Sequence, residues 1–207
     1  NFDDEHQLFD ALIRNPAMSK AACDYLLLFE RNPAKALDLC TEALKRSSER
    51  GATKGEWWWW KHRQGRCYYQ LGLYRDAERS FASSLDDQPM EATVLELAKV
   101  YLRVDQPTSA LKVLQDALQE NQMPSSVRLT LWGARVHESG NATDMSIETF
   151  KQVVRLDASH VEGLACLASS YFYAGYPEMS LRFYRRLLQM GVTGPEIWNN
   201  VGLCCFY

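Results

Sequence analysis

Six cysteines (Cys23, Cys40, Cys67, Cys166, Cys204, Cys205) and four histidines (His6, His62, His137, His160) are the side chains of this sequence best suited to chemistry. Thiolates and imidazoles ligate zinc, and paired thiols exchange electrons, but both roles need several such groups converging. No CxxC occurs, the histidines fall one to a region, and no cysteine–histidine pair has finger-like spacing. The vicinal Cys204-Cys205 fits two small apolar residues on a packed helix better than a redox or metal pair, given the burial habit of cysteine. A phosphate loop, a GxGxxG after a strand, an HExxH and a GxSxG elbow are all missing. The sequence therefore points away from catalysis, and neither metal nor cofactor is expected.

The remaining bulk properties narrow the class. Against 26 acidic side chains stand 23 basic ones, a net charge of −3, without the basic excess of a general nucleic-acid binder. No apolar run reaches the ~18–20 residues of a membrane span. The opening NFDDEHQLFDALIRNP lacks the basic-then-apolar order of a signal peptide. The cysteines lie in apolar contexts, which suits buried thiols in a reducing, cytoplasmic setting, and the sequon Asn141-Ala142-Thr143 is then a chance match.

The elements that position these residues come from an internal repeat. A small or anchoring residue recurs at Asp24, Gly65, Ala98, Gly133, Ala168 and Gly202, spaced by 41, 33, 35, 35 and 34. Three residues on, an aromatic recurs at Tyr68, Tyr101 and Tyr171, with Leu27, Val136 and Cys205 in the other units. A second small position falls at Ala36, Ala77, Ala110, Ser146 and Ser180, and a large one four further at Cys40, Phe81, Leu114, Phe150 and Tyr184. This is the tetratricopeptide pattern, a helical hairpin of about 34 residues. Small residues let the two helices approach, and large ones a turn away fill the gap to the next hairpin. The fold expected is all-α, a right-handed superhelical tetratricopeptide-repeat (TPR) solenoid of antiparallel helix pairs.

First helices are predicted at 17–30, 58–70, 91–103, 126–138, 161–173 and 195–207, with partners at 33–47, 73–87, 107–120, 143–156 and 177–190. Pro33, Pro107, Pro177 and Pro195 fall in first turns, where proline is tolerated, whereas Pro89 and Pro124 end helices. A short capping helix is expected within 1–16. The array fills 17–207, with repeats near 17–47, 58–90, 91–124, 126–158 and 161–193 and a partial one at 195–207. Arg46–Glu56 carries the seven extra residues of the long first spacing and is expected to be a flexible loop. The apolar end VGLCCFY, without a polar cap, reads as a fragment of a longer array.

In such an array the first helices line a groove. Trp59, His62, Arg66, Tyr69, Lys99, Arg103, Phe172 and Tyr173 fall on its inner positions, with His137 and Asn199. Arg66, Lys99 and Arg103 give a basic stripe, and the aromatics add contact area at modest entropy cost. Such a groove suits a segment with acidic and apolar anchors. Arg182 and Arg186, four apart with Phe183 alongside, form a candidate outer face for an acidic protein or lipid headgroups. The four tryptophans Trp57–Trp60 point in all directions on a helix, so one or two should reach the surface or cover the Arg46–Glu56 loop. A chaperone-type carboxylate clamp would pair Lys with Asn one turn apart; the positions read His62/Arg66, Leu95/Lys99 and Thr130/Ala134, which argues against a cochaperone.

Trp57–Lys61 (WWWWK), GRCYYQLGLYRDAERSF from Gly65, Ser180–Gly191 and NNVGLCCFY at 199–207 resemble the tetratricopeptide repeat protein 8 family, a Bardet–Biedl syndrome subunit of the BBSome. The resemblance runs from about Asp24 to the end. It implies a non-enzymatic scaffold of a coat-like complex that moves membrane proteins into and out of cilia and serves cilium assembly. It further implies partners among other BBSome subunits, namely a second TPR subunit and β-propeller subunits. An Arf-like GTPase and ciliary membrane cargo would be indirect partners. The implied location is the cytoplasm, cilium, basal body and centrosome region. A generic cytosolic TPR adaptor or cochaperone-like peptide binder unrelated to cilia is the alternative.

Overall fold

The computed structural model describes residues 15–49, 54–119 and 123–207, and among them are eleven α-helices and no strand. In chain order they are α1 (Pro16–Leu28), α2 (Pro33–Glu49), α3 (Lys54–Gln70), α4 (Tyr74–Asp87), α5 (Glu91–Arg103), α6 (Pro107–Gln119), α7 (Val127–Ser139), α8 (Thr143–Leu156), α9 (Val161–Tyr173), α10 (Pro177–Gln189) and α11 (Pro195–Phe206). The fold is the all-α TPR array that the repeat predicts. Helices α5, α8 and α9 keep their expected bounds. The capping helix expected within 1–16 lies outside the described residues.

Local chemistry sets the helix ends. Asn15 accepts the amides of Ala17 and Met18, Ser126 that of Leu129, and the His160 ring nitrogen that of Gly163, so orphan first-turn donors are satisfied. The hairpin turns close with a residue at positive φ: Arg31 (51°), Gly72 (78°), Asp105 (58°), Asn141 (56°) and Gly175 (83°). The amide after that residue turns back onto the first helix in all five: Asn32 to Leu26 O, Leu73 to Tyr68 O, Gln106 to Tyr101 O, Ala142 to His137 O and Tyr176 to Tyr171 O, at 2.8–3.0 Å.

Two expectations change. The loop Arg46–Glu56 is largely helical: Arg46–Glu49 end α2 and Lys54–Glu56 begin α3, leaving only 50–53, which lie outside the described residues. Arg46 supports the extension by donating from Nε to the Glu42 carboxylate, one turn back, at 2.7 Å. Second, the anchor of the fourth repeat is Ala134, not Gly133. Ala134 is fully buried and lies twelve residues before Ser146 and seven before the positive-φ Asn141, the offsets found elsewhere. Gly133 faces open space.

The chain forms two compact units, Asn1–Ala110 and Leu111–Tyr207, with the boundary inside α6. In the first, Cys23, Leu27, Ala36, Leu39, Cys40, Ala43, Trp60 and Cys67 make one core from α1, α2 and α3. At the next hairpin Gly65 meets the ring of Phe81, itself fully buried, which contributes about 2–3 kcal/mol by leaving water. Lys61 Nζ reaches Asp87 Oδ2 at 2.5 Å, and Ser84 Oγ donates to Trp58 O at 2.8 Å, fastening α3 to α4. In the second unit, Leu131, Ala134, Ile147, Phe150, Val153 and Leu167 join α7, α8 and α9. Leu164, Ala168, Tyr184, Leu187 and Cys204 join α9, α10 and α11.

Candidate partner-binding faces

In the first unit the first helices α1, α3 and α5 carry one continuous set of side-chain contacts. Trp59, His62, Arg63, Arg66 and Tyr69 follow helical spacing and share a face of α3. Arg63 grips Asp24 of α1 with two nitrogens, at 2.6 and 3.3 Å. Trp59 is half-buried, with the Arg63 guanidinium 4.6 Å and Lys20 Nζ 5.4 Å from its ring centre, so it is held between two cations. Arg103 of α5 donates from Nε to the Tyr69 hydroxyl at 3.1 Å and is itself exposed. Lys99 pairs with Glu96 at 3.0 Å. Arg66 is half-buried and makes no ion pair among the described residues.

His62 sits beneath this face. It is 5% exposed, shares a 3.0 Å hydrogen bond with Thr93 Oγ1 of α5, and tilts against Phe81. Burial first, then the charges of Arg63, Arg66 and Lys99, push its pKa down to about 4 against the pull of Asp24. The imidazole is therefore neutral at neutral pH. Lys20, Arg63, Arg66, Lys99 and Arg103 outnumber their carboxylate partners Asp24 and Glu96, which leaves the face above the ring electropositive. His62 is a support for that face and is not available to touch a partner.

In the second unit Phe172 is half-buried, edge-on to Tyr173 and to Tyr207 at 5.6 and 6.0 Å between ring centres. Tyr173, Phe206 and Tyr207 are each about four-fifths exposed (83%, 81% and 79%). On α10, Phe183 stacks on Tyr171, 5.7 Å apart and 7° from parallel, so its ring is already engaged. Arg186 donates to Ala158 O at 2.7 Å, which holds it to the turn before α9, while Arg182 is exposed. His137 is half-buried and Asn199 exposed. Of Trp57–Trp60, Trp60 is buried and the other three are half-buried, so none stands free.

Sequence reasoning passed over Lys20, Asp24, Arg63 and Glu96 as members of the first face. Arg63 was findable, one turn from Trp59. Asp24, 39 residues earlier, has no local signature. With the fourth anchor at Ala134, the clamp position there becomes Leu131/Arg135, and Arg135 pairs with Glu162 of α9. The Lys–Asn clamp is still missing. Among the described residues, no group of three or more His, Cys, Asp or Glu could hold a metal ion, and no helix is long and apolar enough to cross a membrane.

Comparison with known proteins adds three findings. The family described as Tetratricopeptide repeat matches residues 95–161. Tetratricopeptide repeat protein 8 of Caenorhabditis elegans is 34% identical over 95% of this chain and 37% of its own length. The Mus musculus protein of that name is 43% identical over 81% of this chain and 31% of its own. The chain thus spans about a third of the length of these curated relatives. Among solved structures, MamA from Desulfovibrio magneticus RS-1 superposes with a TM-score of 0.63 at 16% identity, over 85% of this chain and 94% of that one.

Proposed function

This chain belongs to the tetratricopeptide repeat family, related over most of its length to Tetratricopeptide repeat protein 8, and on that premise we propose that it is a non-enzymatic scaffold segment of the BBSome. A repeat fold of this kind is a scaffold for protein–protein contacts, and the two units offer faces of different chemistry for that purpose. The observation that carries the reading is the electropositive aromatic face of α1, α3 and α5. There Arg66 lies beside Trp59 and Tyr69 with no ion pair among the described residues.

A partner segment with acidic and aromatic or aliphatic side chains fits this face, because carboxylates pair with a guanidinium bidentately and flat rings supply buried area. The proposed role is in ciliary membrane-protein trafficking and cilium assembly, in the cytoplasm and at the cilium, basal body and centrosome region. The proposed direct partners are a second TPR subunit and β-propeller subunits. An Arf-like GTPase and membrane cargo would be reached through the assembled complex.

The test is affinity purification of the tagged chain from ciliated-cell extract with quantitative mass spectrometry. Stoichiometric co-elution of the other BBSome subunits is expected. Recovery of chaperones alone, or of unrelated clients, would refute the reading in favour of a general repeat adaptor. Arg66→Glu with Lys99→Glu should cut the recovered partner at least about tenfold, equivalent to ~1.4 kcal/mol, with helicity unchanged. Undiminished recovery would remove the face from the interface.

A further inference from the structure

Three thiols from three successive helices meet in the core of the first unit. Cys23 of α1, Cys40 of α2 and Cys67 of α3 are each fully buried in the same apolar cluster. Cys23 Sγ and Cys40 Sγ are 3.5 Å apart, at van der Waals contact. Cys67 belongs to the same cluster, and the Cys40 and Cys67 thiols act on each other's ionisation. Three small apolar residues would fill this space, yet all three positions carry sulfur and Cys40 touches Cys23.

We propose that Cys23, Cys40 and Cys67 form an oxidisable thiol site that reacts with hydrogen peroxide and ends as a Cys23–Cys40 disulfide joining α1 to α2. This site is independent of the partner-binding proposal above. The helix carrying Cys67 also carries Arg63 and Arg66 one turn and one residue before it, and these charges favour a thiolate there. The hydrogen bond from Cys40, and then those arginines, hold the Cys67 thiol below its ordinary range against its burial. Cys40, which gives up its hydrogen bonds on ionising, is held well above.

The steps balance as follows. The Cys67 thiolate attacks one peroxide oxygen, the O–O bond breaks, and hydroxide leaves and takes a proton to become water. Cys40 sulfur, losing its proton, attacks the Cys67 sulfenic sulfur; the S–O bond breaks and a second water departs. Cys23, whose proton went to the hydroxide of the first step, then attacks Cys40 sulfur as thiolate, forming the Cys23–Cys40 bond and returning Cys67 as thiolate. Two thiols are oxidised, one peroxide is reduced to two waters, and Cys67 is regenerated. Peroxide is small enough to enter during local opening of the α1–α2 hairpin, which gates the rate. The product fixes α1, and with it Asp24 and Lys20, against α2.

The test treats the chain, with exposed Cys205 replaced (Cys205→Ser) to prevent links between copies, with hydrogen peroxide. Alkylation, digestion and mass spectrometry then map the sulfurs. The expected result is a dominant Cys23–Cys40 linked peptide, with amide exchange across α1 slowed about 100-fold. Cys67→Ala should slow the link about tenfold, and Cys23→Ala should stop the reaction at Cys40–Cys67. The proposal is overturned if the three thiols remain fully alkylatable after unfolding while half-buried Cys166 oxidises. It is equally overturned if they progress to sulfinic acid without any link. Should the variants lose helicity, the map of the chain carrying native Cys23, Cys40 and Cys67 decides alone: no Cys23–Cys40 peptide, no site.

Discussion

Substituting alanine at two glycines that look alike in sequence should give opposite signs. A Cβ at Gly65 would lie 2.7 Å from Phe81 Cδ1 and Cε1 and 2.9 Å from Cζ, and Phe81 is completely buried. The ring has no solvent side to retreat to, so the two helices must part. Such overpacking costs about 1–3 kcal/mol, against a gain of ~1 kcal/mol for removing a glycine from a helix interior. A contact as close as 2.7 Å puts the cost at the top of that range, so Gly65→Ala should destabilise by up to about 2 kcal/mol, lowering the midpoint by up to about 4–8 °C. At Gly133 nothing lies within 4 Å of an added Cβ, so Gly133→Ala keeps only the helical gain and stabilises by ~1 kcal/mol. Denaturation of both variants followed by circular dichroism checks this, with tryptophan fluorescence reporting on α3, where Trp57–Trp60 lie. The two units need not unfold together, so the sign within each unit is the quantity compared. Stabilisation by Gly65→Ala would refute the argument that Gly65 is held open for Phe81, and destabilisation by Gly133→Ala would refute the argument that Ala134, not Gly133, anchors the fourth hairpin.

Because His62 is depressed to about 4 when folded and stands near 6.5 when unfolded, the unfolded chain takes up its proton first as pH falls. Its contribution is complete above pH ~6.5 and is lost progressively down to pH ~4, about 3 kcal/mol in all. His62→Gln should flatten that part of the stability profile, and a nuclear magnetic resonance titration placing His62 above 6 would contradict the buried geometry. Asp87→Ala should cost about 1–3 kcal/mol, because Lys61 is 18% exposed and loses its 2.5 Å partner; a chemical-denaturation midpoint unchanged within error would show that the pair contributes nothing. Gly163→Ala should destabilise the second unit as Gly65→Ala does the first, since its Cβ would meet Val153 Cγ1 at 2.7 Å. Hydrogen exchange across α8 and α9 reads that change, and undiminished protection there would argue against it.

What the amino-acid sequence determined by itself is the part of the fold encoded within a turn or two of chain. Proline at first helical positions places the starts of α2, α6, α10 and α11, and the repeat frame places α5, α8 and α9 to the residue. The slip at Gly133 is of the same local kind. A glycine and an alanine side by side both satisfy a small-residue rule, and only packing against the next helix selects Ala134. Likewise the length of the Arg46–Glu56 loop was misread because Arg46 and Glu42 favour continued helix, a preference weaker than the repeat frame but decisive where nothing opposes it.

Tertiary structure alone decided what each groove-facing side chain does. Arg63 spends its charge on Asp24, Lys99 on Glu96 and Arg135 on Glu162, whereas Arg66 pairs with no carboxylate among the described residues, although all four look alike as basic residues on first helices. His62 falls on a groove position by spacing yet is sealed under α5 by Thr93. Cys23, Cys40 and Cys67 share no motif, yet their sulfurs gather in one core. The reason is range. A helix and its cap are set by interactions between residues three to five apart, but an ion pair across 39 residues, or three thiols drawn from three helices, exists only once the hairpins have stacked.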